Sequence, residues 1–177
     1  MNIKTERLDI RKIQKFSEKI SLNEITNENL FDILKLKVLE NQKEFVASNV
    51  ISLAEAFATR NEGGIALPFG IYDDELLIGF VMIGYNTVIE EDDPKIAKNN
   101  YVLWRLMLDY KYQGKGYAKK VLDVVMNYIK SFPCGEAEYC WLSYEPENVH
   151  GKLVYDKYGF IENGEMCYEE IVSVYKL

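Results

Sequence analysis

The segment Asp109–Lys130, DYKYQGKGYAKKVLDVVMNYIK, places two glycines around a lysine and then turns at once into a run with helical periodicity. Ala118, Val121, Leu122, Val125 and Ile129 recur at i, i+3, i+4, i+7 and i+11, which puts them on one apolar face of a helix. Just before the turn, Tyr101–Leu108 reads YVLWRLML, apolar on both faces as a central strand is. A strand entering a helix through a glycine-rich turn gathers backbone N–H groups at one spot, and the helix dipole adds positive potential there. Such a spot suits a phosphate.

Working outward, Ile20 and Leu22 alternate with polar residues and predict a first strand. Leu30, Ile33, Leu34 and Val38 at helical spacing predict a helix capped by Thr26 or Asn27. Ser52 and Glu55 read as a capping box opening a second helix, with ENQKEFVASN as an exposed connection between the two. LPFGIY and LLIGFVMIGY, separated by Asp73-Asp74-Glu75, predict an antiparallel hairpin, and the acidic loop EEDDPKIAKNN leads from it to the central strand. Beyond the quoted segment come a strand at AEYCWLSY and a helix from the Asn148 N-cap to Gly159 at its C-terminal end. Two strands follow, around FIENGEMC and EEIVSVYKL. Residues 1–18 are charged and weakly patterned, an N-terminal extension before a single α/β domain at 19–177.

The formal charge of −7, with no long basic run, opposes nucleic acid and favours a cationic partner. The odd count of three cysteines and the lone His150 form no zinc spacing, so no metal is expected and a reducing cytoplasm is. Nothing in the sequence has the apolar length of a membrane span or an export signal.

Three phosphate motifs compete for the turn. A P-loop needs Ser or Thr after its Gly-Lys and a glycine five residues earlier, but Gly116 follows Lys115 and position 109 is Asp. A dinucleotide fingerprint counted from Gly114 needs Gly or Ala where Lys119 stands, and it belongs early in a parallel sheet. The remaining reading is Q-G-K-G-Y-A, which resembles the Q/R-x-x-G-x-G/A signature of the GNAT superfamily of N-acetyltransferases. Gln113 takes its first place, Gly116 its first glycine and Ala118 its last position, with Gly114 an additional glycine. Further on, ENVHGKLVYDKYGF resembles the family's N-x-x-A-x-x-x-Y-x-x-x-G-F segment, with Asn148, Tyr155, Gly159 and Phe160 in register and Gly151 where Ala is usual. By the Y-Q-G-K-G turn and the Y-D-K-Y-G-F helix, the resemblance is closest to bacterial spermine/spermidine acetyltransferases. Taken alone, Gly114 and Gly116 fit a plain tight turn equally well.

The resemblance implies a GNAT acyl-CoA N-acyltransferase fold, a mixed and mostly antiparallel sheet of about six or seven strands flanked by about four helices. It implies acetyl-CoA as cofactor, its diphosphate on Gln113, Gly114, Lys115, Gly116, Tyr117, Ala118 and Lys119, with Asn148 and Lys157 close by. The strands Tyr101–Leu108 and Ala137–Tyr144 are expected to splay, with the pantetheine arm pairing along Leu106, Met107 and Leu108. A backbone N–H of Met107 or Leu108 would polarise the thioester carbonyl, and Tyr155 would donate a proton to the departing sulfur. An unperturbed phenol at about pKa 10 is well matched to an alkyl thiol for that transfer. Core packing is the plain alternative for Tyr155, a solvated helix face for the three lysines.

Animal polyamine acetyltransferases carry a Glu base where this chain has Trp104, so the base is left to Glu145 or to a water relay. Glu40 and Glu44, Trp104, and the run Glu90, Glu91, Asp92 and Asp93 are candidate contacts for a cationic amine, or, for the acids, an ordinary solvated loop. The reading is thus an N-acetyltransferase for a polyamine or related small amine, with paired subunits implied by the resemblance. Its rivals are an acetyltransferase for a protein N-terminus, a lysine or an aminoglycoside, and a binding module that senses CoA or an amine without catalysis.

Overall fold

The computed structural model describes residues 19–87 and 93–177; the extension 1–18 and the candidate acids Glu90, Glu91 and Asp92 lie outside the described residues. One sheet contains β1 (Ile20–Glu24), β2 (Ile65–Asp73), β3 (Leu76–Tyr85), β4 (Tyr101–Leu108), β5 (Tyr139–Tyr144), β6 (Ile161–Cys167) and β7 (Glu170–Lys176). Their spatial order is β1-β2-β3-β4-β5-β7-β6, so YVLWRLML is the central strand that its two apolar faces predicted. All neighbours are antiparallel except β4 and β5. The β2–β3 hairpin turns at Asp74, whose φ of 52° is a left-handed conformation that Asp tolerates.

Helices α1 (Leu30–Lys35) and α2 (Asn49–Asn61) cover one face through Ile33 and Ala56, which pack on Phe80, Met82 and Met107. On the other face α3 (Tyr117–Lys130) buries Val121, Leu122, Val125 and Ile129 completely, the stripe read from the sequence. Beside it lies α4 (Val149–Tyr158), which runs from Asn148, whose Oδ1 accepts from Gly151 N–H at 2.9 Å, to Gly159.

Two helix starts differ from expectation. α1 begins at Leu30 behind an Asn29 N-cap, because the Asn29 side chain clamps the preceding turn, accepting from Thr26 N–H (2.9 Å) and donating to Glu24 O (3.0 Å). It ends before Val38, since Lys37 N–H donates to Asp109 Oδ2 (3.0 Å) and Lys37 O accepts from Tyr110 N–H (2.8 Å), which draws the chain to the end of β4. α2 starts at Asn49 with Ser48 as N-cap, its Oγ accepting from Ile51 N–H. The Ser52–Glu55 pair therefore lies inside the helix, where Ser52 Oγ–H donates back to Ser48 O and Glu55 pairs with Arg105 at 3.0 Å.

Two irregularities in β4 prepare the site. Ile83 pairs with Leu103 but Met82 with Arg105, so Trp104 is an extra residue, a β-bulge. Tyr101 and Leu103 face α3 before the bulge, and Leu106 and Leu108 do so after it, while Trp104 and Met107 face α1 and α2. Meanwhile β4 and β5 pair only at Tyr101 with Cys140 and Val102 with Trp141, and then part, as expected.

Candidate active site

Where β4 and β5 separate, a cavity of about 680 Å³ opens through the sheet. Leu103–Leu108 form one wall; Ser143, Tyr144 and Glu145 at the end of β5 form another. The turn before α3 borders it with Gln113, Gly114, Gly116, Tyr117 and Ala118, and α4 contributes Asn148, His150, Val154 and Tyr155. From the α1–α2 side come Val38 and the segment 42–47, and from β7 comes Glu170.

Gly114 and Gly116 hold φ of 70° and 80°, a left-handed backbone that disfavours side chains. A Cβ at either would meet nothing within 4 Å, so conformation, not crowding, selects glycine and the space over the turn is open. Gly116 is the N-cap of α3 and offers no side-chain acceptor, an arrangement that leaves first-turn N–H groups to an external anion. The turn thus fits a diphosphate. Gln113 fastens it in place, its Nε2 donating to Leu108 O (3.0 Å) and to Gln42 Oε1 (2.8 Å).

Tyr117 has its phenol in the core, donating to Asp73 Oδ2 at 2.7 Å; burial and that carboxylate push its ionisation up. Its side chain is therefore an anchor for the helix start. Lys115, with Nζ 5.5 Å from the Tyr112 ring centre, Lys119, paired with Asp123 at 2.8 Å, and Lys157 do not line the cavity. Asp123 also answers the unfavourable charge of a lysine near a helix N-terminus. Glu40 lies outside too, paired with Lys43 at 2.7 Å.

Tyr155 lies on the α3–α4 face. Its ring stacks on Tyr144 with centres 6.1 Å apart and meets the Phe160 edge at 5.9 Å. The hydroxyl makes no hydrogen bond with the described residues, and burial pushes its pKa up to about 12. The residue is half-buried because it borders the cavity, yet it lies deep in the protein. The expected match to a thiol at about 10 is thereby corrected upward for the phenol, and a thiol in the same desolvated place moves the same way.

On the opposite face, Glu44, Glu145 and Glu170 border the cavity from three separate segments. Burial, then Glu170, Glu147 and Glu44 in turn, raise the pKa of Glu145 above the ordinary carboxylate range. Glu170 accepts a short hydrogen bond from Ser143 Oγ–H. Trp104 is half-buried beside them, its ring 5.7 Å from the Arg105 guanidinium carbon. Glu44, Trp104 and Glu145 thus border one cavity, whereas Ser143, Tyr144, Glu170 and the rest of the 42–47 wall around Glu44 are not among the residues singled out from the sequence. The period of β5 alone places Ser143 and Glu145 on the face of Trp141; Glu170 depends on the β5–β7 pairing, which no local pattern announces.

The model of the acetyltransferase (GNAT) family matches residues 30–160. Spermine/spermidine N(1)-acetyltransferase of Bacillus subtilis (strain 168) is 32% identical over 149 residues, covering 83% of this chain and 91% of that protein. Among solved structures, spermidine N-acetyltransferase from Vibrio cholerae in complex with CoA and spermine superposes with a TM-score of 0.63 at 18% identity, over 91% of this chain and 96% of that one. An aminoglycoside acetyltransferase in complex with coenzyme A and kanamycin gives 0.67 at 17% identity, over 89% and 95%.

Proposed function

This chain belongs to the acetyltransferase (GNAT) family, and from that premise we propose that it transfers the acetyl group of acetyl-CoA to a primary amine of a polyamine such as spermidine or spermine. The coenzyme supplies an activated thioester. The turn Gln113–Ala118 binds its diphosphate with main-chain amides, and the Lys115, Lys119 and Lys157 charges act from outside the cavity. The edge of β4 at Leu106, Met107 and Leu108, left free of β5, binds the pantetheine arm, and Met107 or Leu108 N–H orients the thioester carbonyl. Asn148 holds the start of α4 and with it the height of Tyr155, whose Oη gives its proton to the sulfur.

The acceptor class rests on one observation: Glu44, Glu145 and Glu170 converge on the face opposite Tyr155. Carboxylates gathered in a partly desolvated cavity repel one another and attract a chain of ammonium groups. The bacterial relative named above supports the same class. The test follows thiol release from acetyl-CoA against spermidine, spermine, kanamycin and a lysine peptide. Turnover strongest with the polyamines is expected; none with either polyamine overturns the assignment. Three free cysteines fit a cytoplasmic protein, and the paired subunits implied by the resemblance are part of this reading, checked by sedimentation.

A further inference from the structure

An amine that is mostly protonated at neutral pH must lose a proton before it attacks, and the position at which the resemblance implies a base holds Trp104. The sheet decides where a replacement has to stand. Along β5, Cys140, Leu142 and Tyr144 pack toward α3 and α4, while Trp141 packs on the other face. Continuing that alternation puts Ser143 and Glu145 on the Trp141 face, the side of Trp104, Glu44 and Glu170. Tyr155, stacked on Tyr144, reaches the same cavity from the α3–α4 face. An opening through the sheet therefore has a proton donor on one face and a carboxylate on the other.

Glu145 differs from the other charged groups around it. Its backbone carbonyl accepts from Asn148 N–H at 2.9 Å, but its carboxylate makes no hydrogen bond and no ion pair with a described residue, although the residue is half-buried. Glu170, from β7, is held by Ser143; Arg105, from β4, is paired with Glu55; Lys43 is paired with Glu40. Glu44 from the α1–α2 connection and Glu147 from the turn before α4 are exposed, as is His150 at the start of α4, which also borders the cavity.

We propose that Glu145 is the base that takes the proton from the attacking ammonium group, with Glu170 as its neighbouring carboxylate. The step rests on the acetyltransferase reading above and balances as follows. The ammonium nitrogen gives one proton to a Glu145 carboxylate oxygen, and its freed lone pair forms the C–N bond. The C–S bond breaks, and the sulfur takes the Tyr155 Oη proton. The second proton lost by the nitrogen restores Tyr155, and Glu145 returns the first to solvent. Burial, and after it the neighbouring carboxylates, raise the Glu145 pKa and so bring it closer to the working pH, where a base is most effective.

The test compares wild type with Glu145→Gln on spermidine, or on kanamycin or a lysine peptide should those be the amines that turn over. Glu145→Gln is expected to lower kcat about 10²-fold at neutral pH. The acid limb of its pH–rate profile should disappear, rate should return at alkaline pH, and the Kd of acetyl-CoA should be unchanged. Glu170→Gln should keep the limb but move it to lower pH, because a neighbouring negative charge has gone. Carboxyl-carbon NMR reads the same shift without turnover: the Glu145 signal should titrate above the ordinary glutamate range and fall in Glu170→Gln. An unchanged profile in Glu145→Gln, its loss in His150→Gln instead, or no turnover with any of the amines overturns the proposal. Turnover only with a non-polyamine overturns the acceptor class alone.

Discussion

The two faces of the sheet offer different means of binding. On the α3–α4 face, the turn Gln113–Ala118 presents backbone whose shape is set by Gly114 and Gly116 a few residues apart. On the α1–α2 face, the cavity is bordered by the side chains of Glu44, Glu145 and Glu170, which come together only when the whole sheet has formed. A main-chain site is specified locally and holds a ligand part common to a whole enzyme class. A side-chain site is assembled from distant segments, and changing one residue changes what it accepts.

This contrast makes separable predictions. The largest effect belongs to Tyr155, the proposed donor: Tyr155→Phe should lower kcat by about 10²-fold or more with acetyl-CoA affinity retained, as steady-state kinetics and calorimetry would record. A chain that only senses its ligands has no such rate to lose. Next is Gly116→Val, which forces a branched side chain into φ near 80°. At roughly 1–2 kcal/mol of backbone strain, acetyl-CoA should bind about tenfold more weakly whichever amine is offered. The smallest effect is that of Glu44→Gln, an exposed charge: the KM for spermidine should rise about threefold at low salt, less at high salt, with acetyl-CoA affinity unchanged. If Gly116→Val altered amine preference, or Glu44→Gln altered coenzyme affinity, the division between faces would fail.

The same division governs what was legible in the sequence. The central place of β4, the apolar stripe of α3 and the Asn148 cap rest on local patterning and capping, and each stands where it was expected. The end of the first helix was misplaced because a long-range bond sets it: Asp109 to Lys37 spans 72 positions, and Asn49 Nδ2 to Ile33 O in turn ties α2 back to α1. Glu170 escaped for the same reason. A capping pattern such as Ser52–Glu55 is also satisfied inside a helix when an earlier residue, here Ser48, captures the first free N–H. Gly151, the departure from the usual Ala, has a local cause: a Cβ there would come within 2.7 Å of the Asn148 amide and disturb the cap.

Among the described residues, the β-ladder between the four-strand and the three-strand halves of the sheet has only two residue pairs, Tyr101 with Cys140 and Val102 with Trp141. Such a join is a seam. A molecule gripping both margins below it acts as a stitch, so occupancy by substrate and resistance to heat should rise together, and the emptied enzyme should come apart first along that line.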